Sequence, residues 1–299
     1  MANANQVTVQ PEPSRRRSVF GNYAPSAPAA REEASLPAPP GAMDGAALGL
    51  ARSFIHQWLA RAFGYPSGES WIWLCAPDTL SALSAAVGAV EPAPEAPLRA
   101  AFDTLHAAWK PGAFETFHDD YIVAIGHAAR GSCPVNEIEY GDLKADPLFQ
   151  PHRLADLAAF YRAFGLEPSP EADERLDHLS VELEFLGVLA AQEAAAETGP
   201  PNLTGLAVCR DAERKFLREH LGRWTPAFAR RLARVVGEGA LGALAWFTLA
   251  FIEHECVRFG VKAGSEDLLL RPADQNAALC DGCGLSQTLP GAAAVEPCS

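Results

Sequence analysis

Three groups of residues in this 299-residue chain carry side chains suited to chemistry, and each points to a different kind. Asp177 and His178 are adjacent, with Glu182 one helical turn beyond. A histidine and a glutamate at that spacing can hydrogen-bond, which lowers the cost of partial burial. Glu182 is therefore expected to orient His178. The pair either fixes one helix against its neighbour or forms a recognition site, and the pattern leaves both open. A second group gathers Glu137, Glu139 and Asp142 around Tyr140, in a Gly131–Leu143 loop too long for a simple turn. Carboxylates pair with guanidinium and aromatic rings stack on it, so this is a surface for an arginine-bearing peptide. The competing reading is a solvated acidic loop anchored by Tyr140. The third is Cys280-Asp281-Gly282-Cys283, a CxxC pair. A tetrahedral zinc site needs four ligands, so Cys280 and Cys283 would need Cys298, His254 or Cys256 brought in by a folded-back tail. Otherwise they are redox-active or inert thiols.

An enzyme built on Asp177, His178 and Glu182 would need a nucleophile, a metal set or a cofactor loop beside them. The chain has no P-loop, GxGxxG, GxSxG or HExxH motif. A binding protein is the better expectation, and a metal-binding or redox protein centred on the CxxC is the alternative. A histidine near its ordinary pKa of about 6.5 would make such binding pH-sensitive.

The elements that must position these residues read as helices throughout. At about 100° per residue, Leu176, Leu179, Leu183, Leu186 and Ala190 form one stripe, with His178 and Glu182 between it and Phe185 and Leu189. This predicts one helix over 173–197 that carries all three polar residues. Asp44 is a cap for a first helix with Leu50, Phe54, Trp58 and Phe63 on one face. Further helices are expected over 69–76, 78–89, 95–110, 114–127, 148–164, 203–221, 224–236 and 239–262. Trp71 and Trp73, two apart, cannot share a face, which leaves one of them for a partner helix. No run alternates as a strand would. The expected fold is all-α, a single-domain bundle of roughly nine or ten helices over 44–263. Residues 1–43, with seven prolines and no apolar periodicity, read as a disordered arm. Residues 264–299 read as a tail in which Leu268–Leu270 dock back on the bundle.

Charge and hydropathy narrow the partners. The net charge is −13, but residues 1–43 hold four Arg and three Glu, so the remainder carries −14. An acidic body repels phosphate backbones and attracts basic peptides, which argues against nucleic acid. The longest uncharged apolar run, Gly239–Ile252, has 14 residues, short of the roughly 20 that cross a bilayer. It reads as a buried central helix rather than a membrane span. Ser14–Phe20, SRRRSVF, superficially resembles a twin-arginine export signal, but no apolar stretch follows it. A cytoplasmic protein is expected. Seven irregularly spaced cysteines do not make a secreted disulfide framework, and Cys209 and Cys256 read as buried thiols.

Three ordered motifs carry a family resemblance. LAAFYRAFGL (Leu157–Leu166) is followed by ERLDHLSVELEFLGVL (Glu174–Leu189), HDDYIVAIGHAARGSCPVNEIEYG (His118–Gly141) lies upstream, and FLREHLGRWTPAFARRL (Phe216–Leu232) lies downstream. Together, over roughly 48–270, they resemble the TorD/DmsD/NarJ family of molybdoenzyme-assembly chaperones. Pro134, Glu137 and Tyr140 match the family's inter-helix loop, while Asn136 stands where an aromatic residue is usual. The form CPxxExEYG is most similar to the branch serving dimethyl sulfide and ethylbenzene dehydrogenases and selenate and chlorate reductases. The resemblance implies a chaperone that binds the apo catalytic subunit of a molybdoenzyme of the DMSO reductase family, with its twin-arginine leader peptide, until cofactor insertion. It implies Pro134, Glu137, Tyr140, Asp177, His178 and Glu182 as recognition residues. No resident cofactor is required; transient contact with molybdopterin guanine dinucleotide, and zinc at Cys280 and Cys283, are the cofactor expectations.

Overall fold

The computed structural model describes residues 19–20, 45–126, 131–141, 149–169, 174–198 and 202–271. Among them are ten α-helices: α1 Gly45–Phe63, α2 Gly68–Leu74, α3 Pro77–Val90, α4 Pro97–Ala108, α5 Phe114–Ala124, α6 Phe149–Ala163, α7 Leu179–Thr198, α8 Leu203–Glu219, α9 Leu221–Val236 and α10 Ala240–Arg258. The described residues contain no strand, only isolated bridges, and the all-α expectation holds. Prolines at the first positions of α3 and α4 suit a site whose N–H has no helical partner. Asp44 lies outside the described residues.

α1 packs along α7, α9 packs along α10, and α3, α4 and α8 complete the bundle. On α1 the buried face differs from the one expected. Trp58 and Phe63 are core residues, but Leu50 is 46% exposed, and the inward face instead holds Arg52, Ser53, Ile55, His56 and Leu59. Ionic pairing explains the shift. The buried Arg52 guanidinium forms three bonds to Glu255, of 2.6, 2.9 and 3.0 Å, and others of 2.5 Å to Glu193 and 2.7 Å to Glu213. One cation thereby ties α1 to α7, α8 and α10.

α10 is long and apolar enough by composition to cross a bilayer, yet 72% of that window is buried inside the bundle. With buried Glu255 near its end, it is the central core helix that the sequence implied. Trp71 stacks on Trp109 at 4.7 Å and Trp73 lies under Arg61 at 4.6 Å, so the residue that α2 exposes is Ile72. Cys209 and Cys256 are buried free thiols, as expected.

Pro226 lies inside α9. Having no N–H, it cannot bond the carbonyl four residues earlier, that of Gly222. The Gly264 N–H takes that carbonyl at 2.9 Å. This bond starts the return of the chain onto the bundle, where Leu268 and Leu270 pack against the core and Leu270 bridges Tyr140.

Val19 and Phe20, within the segment expected to be a disordered arm, are buried in the core. The rest of 1–43 lies outside the described residues, as do the tail residues Cys280, Cys283 and Cys298.

Candidate functional site

The site forms where the loop 131–141 crosses the start of α7. The sequence placed Asp177 and His178 inside a helix, but α7 starts at Leu179. The reason is backbone pairing: Glu137 N–H donates to Asp177 O at 2.9 Å and Leu179 N–H to Val135 O at 3.0 Å. These bonds hold 177–179 as one side of a short antiparallel contact, with Asn136 opposite His178. A helix over the same residues would need those groups for itself.

Asp177 then uses its side chain as a clamp. Its carboxylate accepts from Ile138 N–H at 3.3 Å, from Asn136 Nδ2 at 3.4 Å and from Arg175 at 3.0 and 3.2 Å. Burial nonetheless pushes its carboxyl above the ordinary value, against the Arg175 charge and the backbone bonds.

His178 does not pair with Glu182. Its Nδ1 accepts from the Ser180 backbone N–H at 3.2 Å and lies 2.7 Å from Ser180 Oγ. Accepting from an amide requires Nδ1 without a proton, so His178 acts as a cap on the first turn of α7. Glu182 points into the core instead, where Trp224 Nε1 donates to it at 3.1 Å. Burial, then the Glu137 charge, push Glu182 well above the usual carboxylate range, outweighing the Trp224 bond.

The acids of the loop are buried rather than displayed. Glu137 is fully buried and accepts from His220 Nδ1 at 2.9 Å and Arg223 at 3.0 Å, with Arg153 at 3.6 Å. Burial would raise its carboxyl, but the His220 bond, with the charges of His220, Arg223 and Arg153, holds it below the ordinary value. The guanidinium expected from a bound peptide is supplied by the chain itself. Glu139 is buried and Asp142 lies outside the described residues. Tyr140 is fully buried, donates to Pro134 O at 2.8 Å and packs 5.2 Å from Trp224. Pro134, also buried, anchors the loop through that carbonyl.

Sequence reasoning missed the cations. His220 and Arg223, 83 and 86 residues from Glu137, come with Trp224 from HLGRW at the α8–α9 junction. Gly222 makes that junction compact, since a Cβ there would come within 2.4 Å of Leu217 O. The one available signal was a glutamate beside buried aromatics, which demands partners from elsewhere. His220 Nε2 also lies 3.2 Å from the half-exposed Asp156, without hydrogen-bond geometry.

Beside this network, Tyr161 near the end of α6 packs on Phe185 of α7, with ring centroids 5.0 Å apart. Tyr161 donates to Leu176 O at 2.8 Å, just before Asp177. Burial, with the nearby carboxylates of Glu182, Glu137, Asp177 and Glu184, raises the Tyr161 hydroxyl well above its ordinary value. Among the described residues, no group of three or more His, Cys, Asp or Glu side chains is placed to hold a metal. Cys280 and Cys283 lie outside them.

This architecture defines an all-helical protein whose loop–helix junction is locked by buried charges. Residues 91–230, which contain the whole junction, match the family described as the nitrate reductase delta subunit. Over 118 residues the chain is 36% identical to the selenate reductase assembly chaperone protein of Thauera selenatis, covering 40% of this chain and 58% of that one. It is 29% identical over 193 residues to the perchlorate reductase assembly chaperone protein of Dechloromonas aromatica, covering 59% and 75%. Chaperone protein TorD of Vibrio cholerae is 32% identical over 93 residues, covering 31% and 40%. The matches thus span about two fifths to three quarters of these relatives. No solved structure shows a significant match. Residues 91–230 thus resemble the TorD/NarJ family, in line with the motifs.

Proposed function

We propose that this protein is a dedicated assembly chaperone for a molybdenum enzyme, acting by binding rather than catalysis. Its client is the cofactor-free catalytic subunit of an enzyme of the DMSO reductase family, of the kind that reduces selenate, perchlorate or chlorate. The chaperone holds that subunit, and the twin-arginine leader at its N-terminus, in the cytoplasm until molybdopterin guanine dinucleotide has been inserted. The cofactor belongs to the client, and no residue here is assigned to hold it.

The observation that carries this reading is the coincidence of the matched segment with the junction. Glu137, Tyr140, Asp177, His178, Glu182, His220, Arg223 and Trp224 all fall within 91–230. Their bonds make one rigid platform of a loop that would otherwise be free, which lowers the ordering cost of binding a partner there. The recognition role of Pro134, Glu137, Tyr140, Asp177, His178 and Glu182 is then mainly to shape that platform. The half-exposed Arg175 and the partly exposed Arg153 and Arg223 form its polar rim.

The test is isolation of the protein from its native host, with and without Asp177→Ala. Recovery of one molybdoenzyme catalytic subunit without molybdenum, weakened at least tenfold by the substitution in protein that remains folded, supports the reading. Recovery of no such subunit by the unsubstituted protein ends it.

A further inference from the structure

Val19 and Phe20 are the described residues of the N-terminal 44, and they are held as a bound peptide would be. Phe20 is fully buried, its ring edge-on to Tyr161 at 5.1 Å, and it forms an antiparallel bridge with Pro168. The Ser169 N–H donates to Val19 O at 2.7 Å, and the Val19 N–H donates to Glu184 Oε2 at 3.1 Å. These polar contacts use the backbone of the pair, and a single large apolar side chain fills the pocket. Recognition of that kind is transferable: any extended segment with a large apolar residue at the Phe20 position can make it.

The sequence just before the seated pair is Ser14-Arg15-Arg16-Arg17-Ser18, so the segment has the order of an arginine-led export leader without its apolar stretch. The body it sits on carries −14, and Glu184 lines the groove. The groove adjoins the junction, because Tyr161 contacts Phe20 on one side and bonds Leu176 O on the other. Twenty-four residues of sequence separate Phe20 from α1, so the pair is covalently attached to the body that seats it.

We infer that the groove that seats Val19 and Phe20 between Tyr161–Ser169 and Glu184 is a binding site for an extended, arginine-led peptide with a large apolar anchor, and that Val19 and Phe20 occupy it in cis until the client's leader displaces them. The inference rests on the chaperone reading for the identity of the displacing peptide. The groove's capacity for such peptides is independent of it. A resident pseudo-leader raises the threshold for binding: weak arginine-bearing sequences fail to displace it, while a leader attached to a subunit held at the junction succeeds.

The probe is a fluorescein-labelled peptide of the Ser14–Phe20 sequence, titrated into the full chain by anisotropy. Phe20→Ala in the full chain vacates the pocket and is expected to bind the probe at least tenfold more tightly than the unsubstituted chain. A probe whose own Phe is replaced by Ala binds neither. The client's leader peptide competes with the labelled probe on the Phe20→Ala chain. In the unsubstituted chain the same leader speeds hydrogen exchange at the Val19 amide, which loses its Glu184 acceptor, so the test survives if Phe20→Ala fails to fold. Equal probe affinity of the two chains, or no competition by the leader and no change at the Val19 amide, overturns the inference. If that happens while the unsubstituted chain still captures the cofactor-free subunit, the chaperone reading stands alone. If the probe result is positive and no subunit is captured, the groove stands and the chaperone reading falls.

Discussion

Two buried charge clusters in this molecule are inverses of one another. Around Arg52 a single guanidinium faces three carboxylates, Glu193, Glu213 and Glu255, with every side chain at most 1% exposed. Around Glu137 a single buried carboxylate faces His220, Arg223 and Arg153, and the two arginines remain 20% and 23% exposed. The first cluster ties four helices together and reaches the surface through Glu193, which also pairs with Arg210 and Arg258. The second joins a loop to a helix junction and leaves part of its cationic rim in reach of solvent. Buried charge alone therefore does not mark a site. What separates the two is what each one holds: long helices against one another in the first, a loop against a helix junction in the second.

The largest expected effect falls on the enclosed cluster. Arg52→Met removes the cation shared by Glu193, Glu213 and Glu255 from a buried site and is expected to cost about 3–5 kcal/mol, or about 10 °C in melting temperature for a chain of this size. Client capture by the folded fraction should be unchanged. Calorimetry and capture on the same sample check both, and loss of capture without loss of stability would erase the distinction between the clusters.

Glu137→Ala comes next, at about 2–3 kcal/mol, because two of its stranded partners, Arg223 and Arg153, are partly solvated. It should abolish capture, since the loop loses its anchor to the α8–α9 junction. Glu137 also has a pH signature. Its folded-state pKa is lowered, so its stabilisation is present above the unfolded value of about 4.5. That stabilisation is lost as pH falls through the folded value. Glu137→Gln should therefore unfold less steeply in acid than the unsubstituted chain.

The enclosed cluster has the opposite sign at one member. Two acids suffice for Arg52, and burial, with the Glu255 and Glu193 charges, pushes the surplus Glu213 up to about 8 despite the Arg52 charge. A raised folded-state pKa gives stability that is full below the unfolded value of 4.5 and fades as pH rises to about 8. Glu213→Gln mimics the protonated acid and should remove up to roughly 1.4 kcal/mol per pH unit of that decline. Denaturant midpoints between pH 5 and pH 8 measure it. The smallest effect is His178→Ala, which removes a helix cap worth about 1 kcal/mol and should weaken capture less than Asp177→Ala.

The same contrast explains what the sequence could reveal. Helix periodicity, the loop between α5 and α6, the return of Leu268–Leu270 and the core role of α10 are local patterns, and they were legible. The Glu137 cluster was half legible: the acids stood out, but their burial depends on cations some 80 residues away that no spacing rule links to them. Arg52 was invisible because Glu255 is 203 residues distant and an arginine on an amphipathic helix ordinarily faces water. His178 was misplaced because helical periodicity continues through Leu176, while the backbone of 177–179 is committed to the loop. Val19 and Phe20 carry no periodic signal at all; two residues of an unpatterned arm dock through their backbone and one ring.

The most direct measurement is molybdenum analysis of the complex captured from the native host by the unsubstituted protein. A stoichiometric catalytic subunit containing no molybdenum, whose metal rises only as the chaperone is released, is the expected result. A captured subunit already loaded with molybdenum would contradict the proposal that this protein acts before cofactor insertion.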